Sequence, residues 1–312
     1  MLGIGISLLT QSAALASQTL VFALMGQSNM VGRAGHDGGS LHPPGVLQWG
    51  RIGADDGQLI PATSPLQHHD PNPGQMGLDI SFAEAALAAR PSATIILIPL
   101  AEGGTGFSDS RWKPGDDLYV DAVARCNAAM AALPGAVFAG FLWHQGEKDV
   151  GFPGYQAALD AMIAGLRTDV TAAGPTTPFI LGQLVPGWVS GNAGREAAQA
   201  IITDTPLRVT RTGVALSEGL TAAGSDVHFA APDLRALGAR YWDRWVAVRS
   251  GQVPLSPPQP VGTIPDQSDA LPDGLAPPQT IGTIPDQTDA VSGGLTAPQT
   301  IGTIPDQQDI AA

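Results

Sequence analysis

The chain has 312 residues, 44% of them hydrophobic and 14% charged, with a formal net charge of −13. That is enough apolar mass for one large single-core domain with sequence to spare. The acidic balance excludes a basic nucleic-acid footprint and disfavours an anionic membrane surface, and no stretch reaches the ~20 continuous apolar residues of a membrane span.

In chain order, residues 1–18 come first. Leu2 to Leu9 is apolar and Ala14-Leu15-Ala16 has the small residues of a cleavage site, but the segment carries no Lys or Arg. A signal sequence and a structural arm both stay open. Residues 19–250 then alternate strand-like and helix-like segments. Apolar runs at Thr19–Met25, Ala93–Leu100, Ala136–Trp143, Pro178–Leu184 and, more weakly, Val214–Leu216 predict strands. Helical spacing predicts helices over Ile80–Arg90, Leu118–Ala132, Tyr155–Val170, Arg195–Thr203 and Pro232–Val248. Apolar strands alternating with amphipathic helices predict an α/β fold, a three-layer α/β/α sandwich around a parallel sheet. The single cysteine, Cys126, falls in a helical pattern and reads as a buried thiol; alone it makes no intrachain disulfide.

Residues 251–312 are a different object. Pro258–Gln267 recurs at Pro278–Gln287 and Pro298–Gln307, with Gly-Thr-Ile-Pro-Asp-Gln unchanged in each copy. This tail has seven Asp, no Lys or Arg and no aromatic residue. Each repeat has too little apolar mass for a core of its own, so a disordered acidic linker is the favoured reading. A segment that attaches to another protein or a surface is the rival.

The residues that carry chemistry follow strand ends. Ser28 lies in Gly26-Gln27-Ser28-Asn29-Met30, just after the first strand; a nucleophilic serine needs such an exposed turn, although Ser is also a common helix cap. His228 lies in a loop before the last helix and suits a general base. Asp226, two positions earlier, falls on the same face of an extended segment and can orient the imidazole. Gly103, Gly104 and Gln145 are candidate oxyanion donors, through backbone N–H groups and an amide. Trp143 and His144 can shape the pocket, and Trp143 equally suits the core. Glu147 reads as a supporting anchor or a substitute acid, and Asp149 as a surface residue. Trp112 suits a sugar platform or the core. His68-His69-Asp70 invites a metal reading, but adjacent residues rarely chelate one ion and no partner stands at a standard spacing. No Walker loop or dinucleotide fingerprint occurs. No metal or cofactor is expected.

Together, the motifs at 26–30, 102–105 (Glu-Gly-Gly-Thr), 143–147 (Trp-His-Gln-Gly-Glu) and 226–229 (Asp-Val-His-Phe) resemble the SGNH hydrolase superfamily. The likeness is greatest to its sialate O-acetylesterases and carbohydrate esterase family six acetylxylan esterases, and it covers about residues 19–248. It implies metal-free removal of O-acetyl groups from sialic acid or xylan-type glycans through an acetyl-serine. Ser28 is then nucleophile and first oxyanion donor, Gly103 or Gly104 the second donor, Gln145 the third and His228 the base. One departure stands out: the superfamily's acid usually lies three residues before the histidine, and that position here is Ser225. Asp226 then reaches His228 through a shifted loop, or the site works as a dyad helped by Glu147. The expected partner is an acetylated carbohydrate, outside the cell or on a cell or virion surface, with a cytoplasmic location still open. The rival class is an inactive glycan-binding or structural protein displayed through its repeat tail.

Overall fold

The computed structural model describes residues 18–223 and 227–251. The N-terminal segment, Asp226 and the repeat tail lie outside the described residues. The chain runs β1 (Thr19–Gly26), α1 (Ser28–Val31), β2 (Ala34–Gly35), β3 (Val46–Trp49), β4 (Leu59–Pro61), β5 (Gln75–Met76), α2 (Asp79–Ala89) and β6 (Thr94–Pro99). It continues through α3 (Asp117–Ala132), β7 (Val137–His144), α4 (Tyr155–Asp169), β8 (Phe179–Gly182), α5 (Pro186–Val189) and α6 (Ala193–Thr203). It ends with α7 (Thr205–Arg208), β9 (Thr212–Ala215) and α8 (Ala231–Arg249).

Seven strands form one sheet in the order β4-β3-β6-β1-β7-β8-β9. Every pairing is parallel except the short edge β3–β4 hairpin. The five predicted strands and five predicted helices are all present. β3 and β4 were not anticipated: they are short, and the exposed Leu59 and half-buried Ile60 of β4 give no apolar run.

Strand β1 shows why the sheet needs two covers. Leu20, Phe22 and Leu24 enter one core, and Val21, Ala23 and Met25 enter the other. With alternate side chains buried on both faces, the strand reads as a continuous apolar run. On the first face, α8 spends Leu234, Leu237, Tyr241, Trp245 and Val248 on the core, at the i, i+3, i+4 spacing of a helix stripe. Phe22 makes edge-to-face contacts with Phe82 of α2 at 4.8 Å and Trp245 of α8 at 5.4 Å. Gly238 lets α8 lie close on α2, because a Cβ there would sit 2.1 Å from Ser81 Oγ. On the second face, α3 contributes Leu118, Tyr119, Ala122, Cys126 and Ala129, and α4 contributes Leu159, Met162, Ile163 and Leu166. Cys126 is fully buried, as its helical spacing predicts.

β1 pairs with β6 on one side and β7 on the other, so the strand order reverses around it. The C-terminal end of β1 is therefore a topological switch point, where the loops after β6 and β7 part and leave a crevice. Ser28, Gly103-Gly104 and Gln145-Gly146-Glu147 all follow those three strands.

Candidate active site

The site begins with a backbone constraint at the end of β1. Gly26 has φ +124°, and a Cβ there would meet His144 O at 2.1 Å. Only glycine fits, because the β1 and β7 backbones touch at this point. The Gln27 N–H then donates to His144 O at 2.9 Å, and the chain turns into α1 with Ser28 as its first residue. Ser28 N–H has no acceptor among the described residues, as suits the first residue of a helix.

His228 reaches this turn from 200 residues away, with Nε2 3.0 Å from Ser28 Oγ. That is hydrogen-bond distance between a hydroxyl and an imidazole, the geometry a nucleophile and its base require. The pair sits in an open cleft of about 530 Å³, whose lining includes Gln27, Arg33, Gly104, Lys148 and Trp188.

The glycine loop after β6 is tied down from two sides. Asp70 Oδ1 accepts the Gly103 N–H at 2.9 Å, and the other carboxylate oxygen takes the Arg33 guanidinium. Gly103 N–H is therefore committed, while Gly104, in the left-handed region at φ +70° and lining the cleft, has no acceptor for its N–H among the described residues. The other tie is Asp149, which is 1% exposed rather than on the surface. It accepts N–H groups from Phe107 at 2.8 Å and Ser108 at 2.9 Å, and the Gln145 amide at 2.8 Å.

This arrangement corrects the reading of Gln145. Its amide is fully buried and donates both to Asp149 and, at 3.3 Å, to Thr105 O. Both hydrogens hold the β6 and β7 loops together, leaving none for an oxyanion. Gln27, which lines the cleft, has an amide Nε2 with no acceptor among the described residues, while its Oε1 accepts the Lys148 N–H at 3.2 Å. For Trp112, where a sugar platform and the core were both open, the structure gives the core. Its side chain is fully buried, donates to Thr105 Oγ1 at 2.9 Å and meets Trp143 edge-to-face at 5.0 Å, so both indoles are core.

Behind Ser28 lies a buried polar layer. Tyr241 OH donates to Trp143 O at 2.7 Å, so it must accept from His144 Nδ1, 3.1 Å away. His144 is therefore the Nδ1–H tautomer, and burial pushes its pKa down to about 3. Its Nε2 lone pair faces Glu147 Oε1 at 3.9 Å without a hydrogen bond. Glu147 lines the cleft with a side chain only 5% exposed. Burial raises its pKa, while Asn29 and the charge of nearby His228 pull it down. The His68-His69-Asp70 run does not converge on one point. His68 accepts the Ala101 N–H through Nδ1, His69 meets Asp121, and Asp70 faces the cleft. Among the described residues no group of three or more His, Cys, Asp or Glu could hold a metal ion.

Sequence reasoning missed Asn29, Arg33, Lys148 and Trp188, and met Asp70 only in the metal reading. Asn29 alone had a signal, lying beside the nucleophile in the first motif.

The protein-family comparison matches the architecture. A family model described as carbohydrate esterase, sialic acid-specific acetylesterase, covers residues 18–247. The chain belongs to this family. It is a carboxylic ester hydrolase of the carbohydrate acetylesterase class. Among its relatives, a probable carbohydrate esterase of Arabidopsis thaliana is 28% identical over 217 residues, 63% of this chain and 80% of that one. A probable 9-O-acetyl-N-acetylneuraminic acid deacetylase of Escherichia coli strain K12 is 27% identical over 123 residues, 33% of this chain and 38% of that protein. The crystal structure of NanS superposes with a TM-score of 0.63 at 18% identity, over 75% of this chain and 98% of that one, which is a likeness of fold.

Proposed function

We propose that this esterase removes O-acetyl groups from carbohydrates through an acetyl-Ser28 intermediate. The carrying observation is the 3.0 Å contact between His228 Nε2 and Ser28 Oγ at the floor of an open cleft. In this reading His228 takes the Ser28 proton as Oγ attacks the acetyl carbonyl. The oxyanion forms against the Ser28 and Gly104 N–H groups, with the Gln27 amide in reach of the same cleft. His228 then protonates the departing sugar oxygen, and a water activated by the same imidazole hydrolyses the acetyl-enzyme. Asp226 is the proposed orienting acid. Glu147, buried beside His228, supplies a second negative charge to the imidazolium when ionised.

The cleft rim favours an acidic, sialate-type sugar over a xylan-type one. Arg33 is neutralised by Asp70, whereas among the described residues no carboxylate lies within 4.0 Å of the Lys148 ammonium, and Lys148 lines the cleft together with Trp188. Trp188 is itself backed by the Arg195 guanidinium at 4.1 Å from the ring centroid. That wall suits a sugar ring carrying a carboxylate.

The test is acetate release from p-nitrophenyl acetate, an O-acetylated sialic acid and acetylated xylan, comparing wild type with Ser28→Ala. Activity should vanish with the serine while thermal stability changes by less than about 1 kcal/mol. A folded, fully active Ser28→Ala protein would sink the mechanism. A folded wild type that binds glycan without cleaving it would move the protein to the binding class.

A further inference from the structure

Asn29 is the residue after the proposed nucleophile, and it is fully buried. Its side chain makes three contacts, none with its own neighbours. The amide Nδ2 donates to Glu147 Oε1 at 2.8 Å and to Val227 O at 3.2 Å. The carbonyl Oδ1 accepts the Phe229 N–H at 3.2 Å. Val227 and Phe229 are the two residues that flank His228. A single side chain therefore grips the histidine loop on both sides of the imidazole and joins it to the end of β7.

Side-chain identity matters here. Holding a carbonyl, a carboxylate and an N–H together takes two donors and one acceptor in a planar, uncharged group of fixed reach. Asn supplies this; Asp has no donor when ionised, and Ser or Thr offers one. The loop needs such a grip, because among the described residues its ladder contact, the isolated bridge between Ala222 and Phe229, pairs two parts of the same loop and ties neither of them to the sheet. The sheet therefore fixes Ser28, and a side chain fixes the base.

We infer that Asn29 is a positioning residue that sets the His228–Ser28 register by clamping Val227 O and the Phe229 N–H against Glu147. The inference rests on the serine-esterase reading above. Catalysis by an oriented base is sensitive to placement, and a shift of ~1 Å costs on the order of 10²-fold. Asn29→Ala removes the clamp while Ser28, His228 and Glu147 themselves stay unsubstituted. Asn29→Asp keeps the shape and the acceptor for Phe229, but loses both donors and sets a carboxylate against Glu147.

The experiment measures kcat and KM for p-nitrophenyl acetate from pH 5 to pH 8, and the rate of Ser28 labelling by a fluorophosphonate. Wild type, Asn29→Ala, Asn29→Asp and Ser28→Ala are compared at a temperature where each is folded by circular dichroism. Asn29→Ala should lower kcat by ~10- to 100-fold with KM within about twofold, and slow labelling by the same factor. Asn29→Asp should be weakest at pH 8 and recover relative to wild type towards pH 5, where the carboxyl regains a proton to donate. That recovery keeps the test decisive if Asn29→Ala does not fold. Wild-type kcat and labelling in folded Asn29→Ala, or a pH-independent deficit in Asn29→Asp, overturns the inference. Full activity in Ser28→Ala overturns the serine reading instead, so the two failures are distinguishable.

Discussion

Asp149 is the buried charge on which the shape of the cleft most depends. Its two oxygens take three donors, the Phe107 and Ser108 N–H groups and the Gln145 amide, at 2.8–2.9 Å. Asp149→Ala leaves those three donors without a partner in a region closed to water. An unsatisfied buried donor costs roughly 1–3 kcal/mol, with the lower figure applying where the chain can shift to reach solvent. Ser108 is exposed and its N–H can rehydrate; Phe107 and Gln145 are fully buried and cannot without opening the core. The expected loss is therefore about 3–5 kcal/mol, a large share of the 5–15 kcal/mol that holds a typical domain folded. Asp149→Asn retains one acceptor oxygen and should lose about half as much. The assay is urea unfolding followed by tryptophan fluorescence, with the midpoint compared at constant slope. The residual folded fraction should also show reduced kcat, because the Gly104 N–H is carried by the loop that Asp149 anchors. An Asp149→Ala protein that unfolds at the wild-type midpoint would refute the claim that this carboxylate holds the β6 and β7 loops together.

Two further outcomes follow from burial. Asp79, fully buried at the start of α2, has its pKa pushed up to about 6 by burial, against 3.8 for the ordinary group. The folded state then binds the proton more tightly than the unfolded one, so stability falls as pH rises from about 4 through about 6, by an amount on the order of 3 kcal/mol. Asp79→Asn should raise the Tm at pH 8 and change it little at pH 4; an equal shift at both values contradicts a buried charge. Trp112→Ala should destabilise by about 3–5 kcal/mol, the cost of emptying an aromatic core site, and leave KM for an acetylated sugar unchanged at a temperature where it folds. A selective rise in KM without a stability loss would return Trp112 to the substrate.

How much of this was legible in the sequence depended on distance along the chain. β1 announces itself because both faces are buried, and the turn after it because Gly26 cannot be replaced there. β4 was invisible because an exposed edge strand of three residues has no pattern to read. The same contrast holds within the site. Ser28 and His228 were readable as chemical types following a strand and preceding a helix. Gln145 was misread because an uncharged amide can serve a ligand or the fold, and the choice depends on Asp149. That residue lies four positions away, and its burial no local pattern signals. Trp112 was left open for a similar reason: its partner Trp143 is 31 residues distant, and only the packed β7 shows the two indoles in contact.

The residues that escaped sequence reading form a connected set with a single physical purpose. A parallel sheet delivers three loops to one edge, but its backbone bonds reach only their first residues, such as Gln27 N–H to His144 O and Glu102 N–H to Gly26 O. Asp70 joins its own segment to the β6 loop through Gly103 N. Asp149 joins the β6 loop to the turn after β7. Asn29 joins that turn to the turn after β1 and to the histidine loop. Each is a short side chain that bonds both to backbone in a loop distant along the chain and to one polar side chain. Such residues are hard to recognise in a sequence, because most of their partners are main-chain groups that every sequence possesses. The cleft is thus built by ordinary polar side chains whose identity is set by the loops they join, and the proposed Ser28–His228 pair is only as well placed as those joints allow.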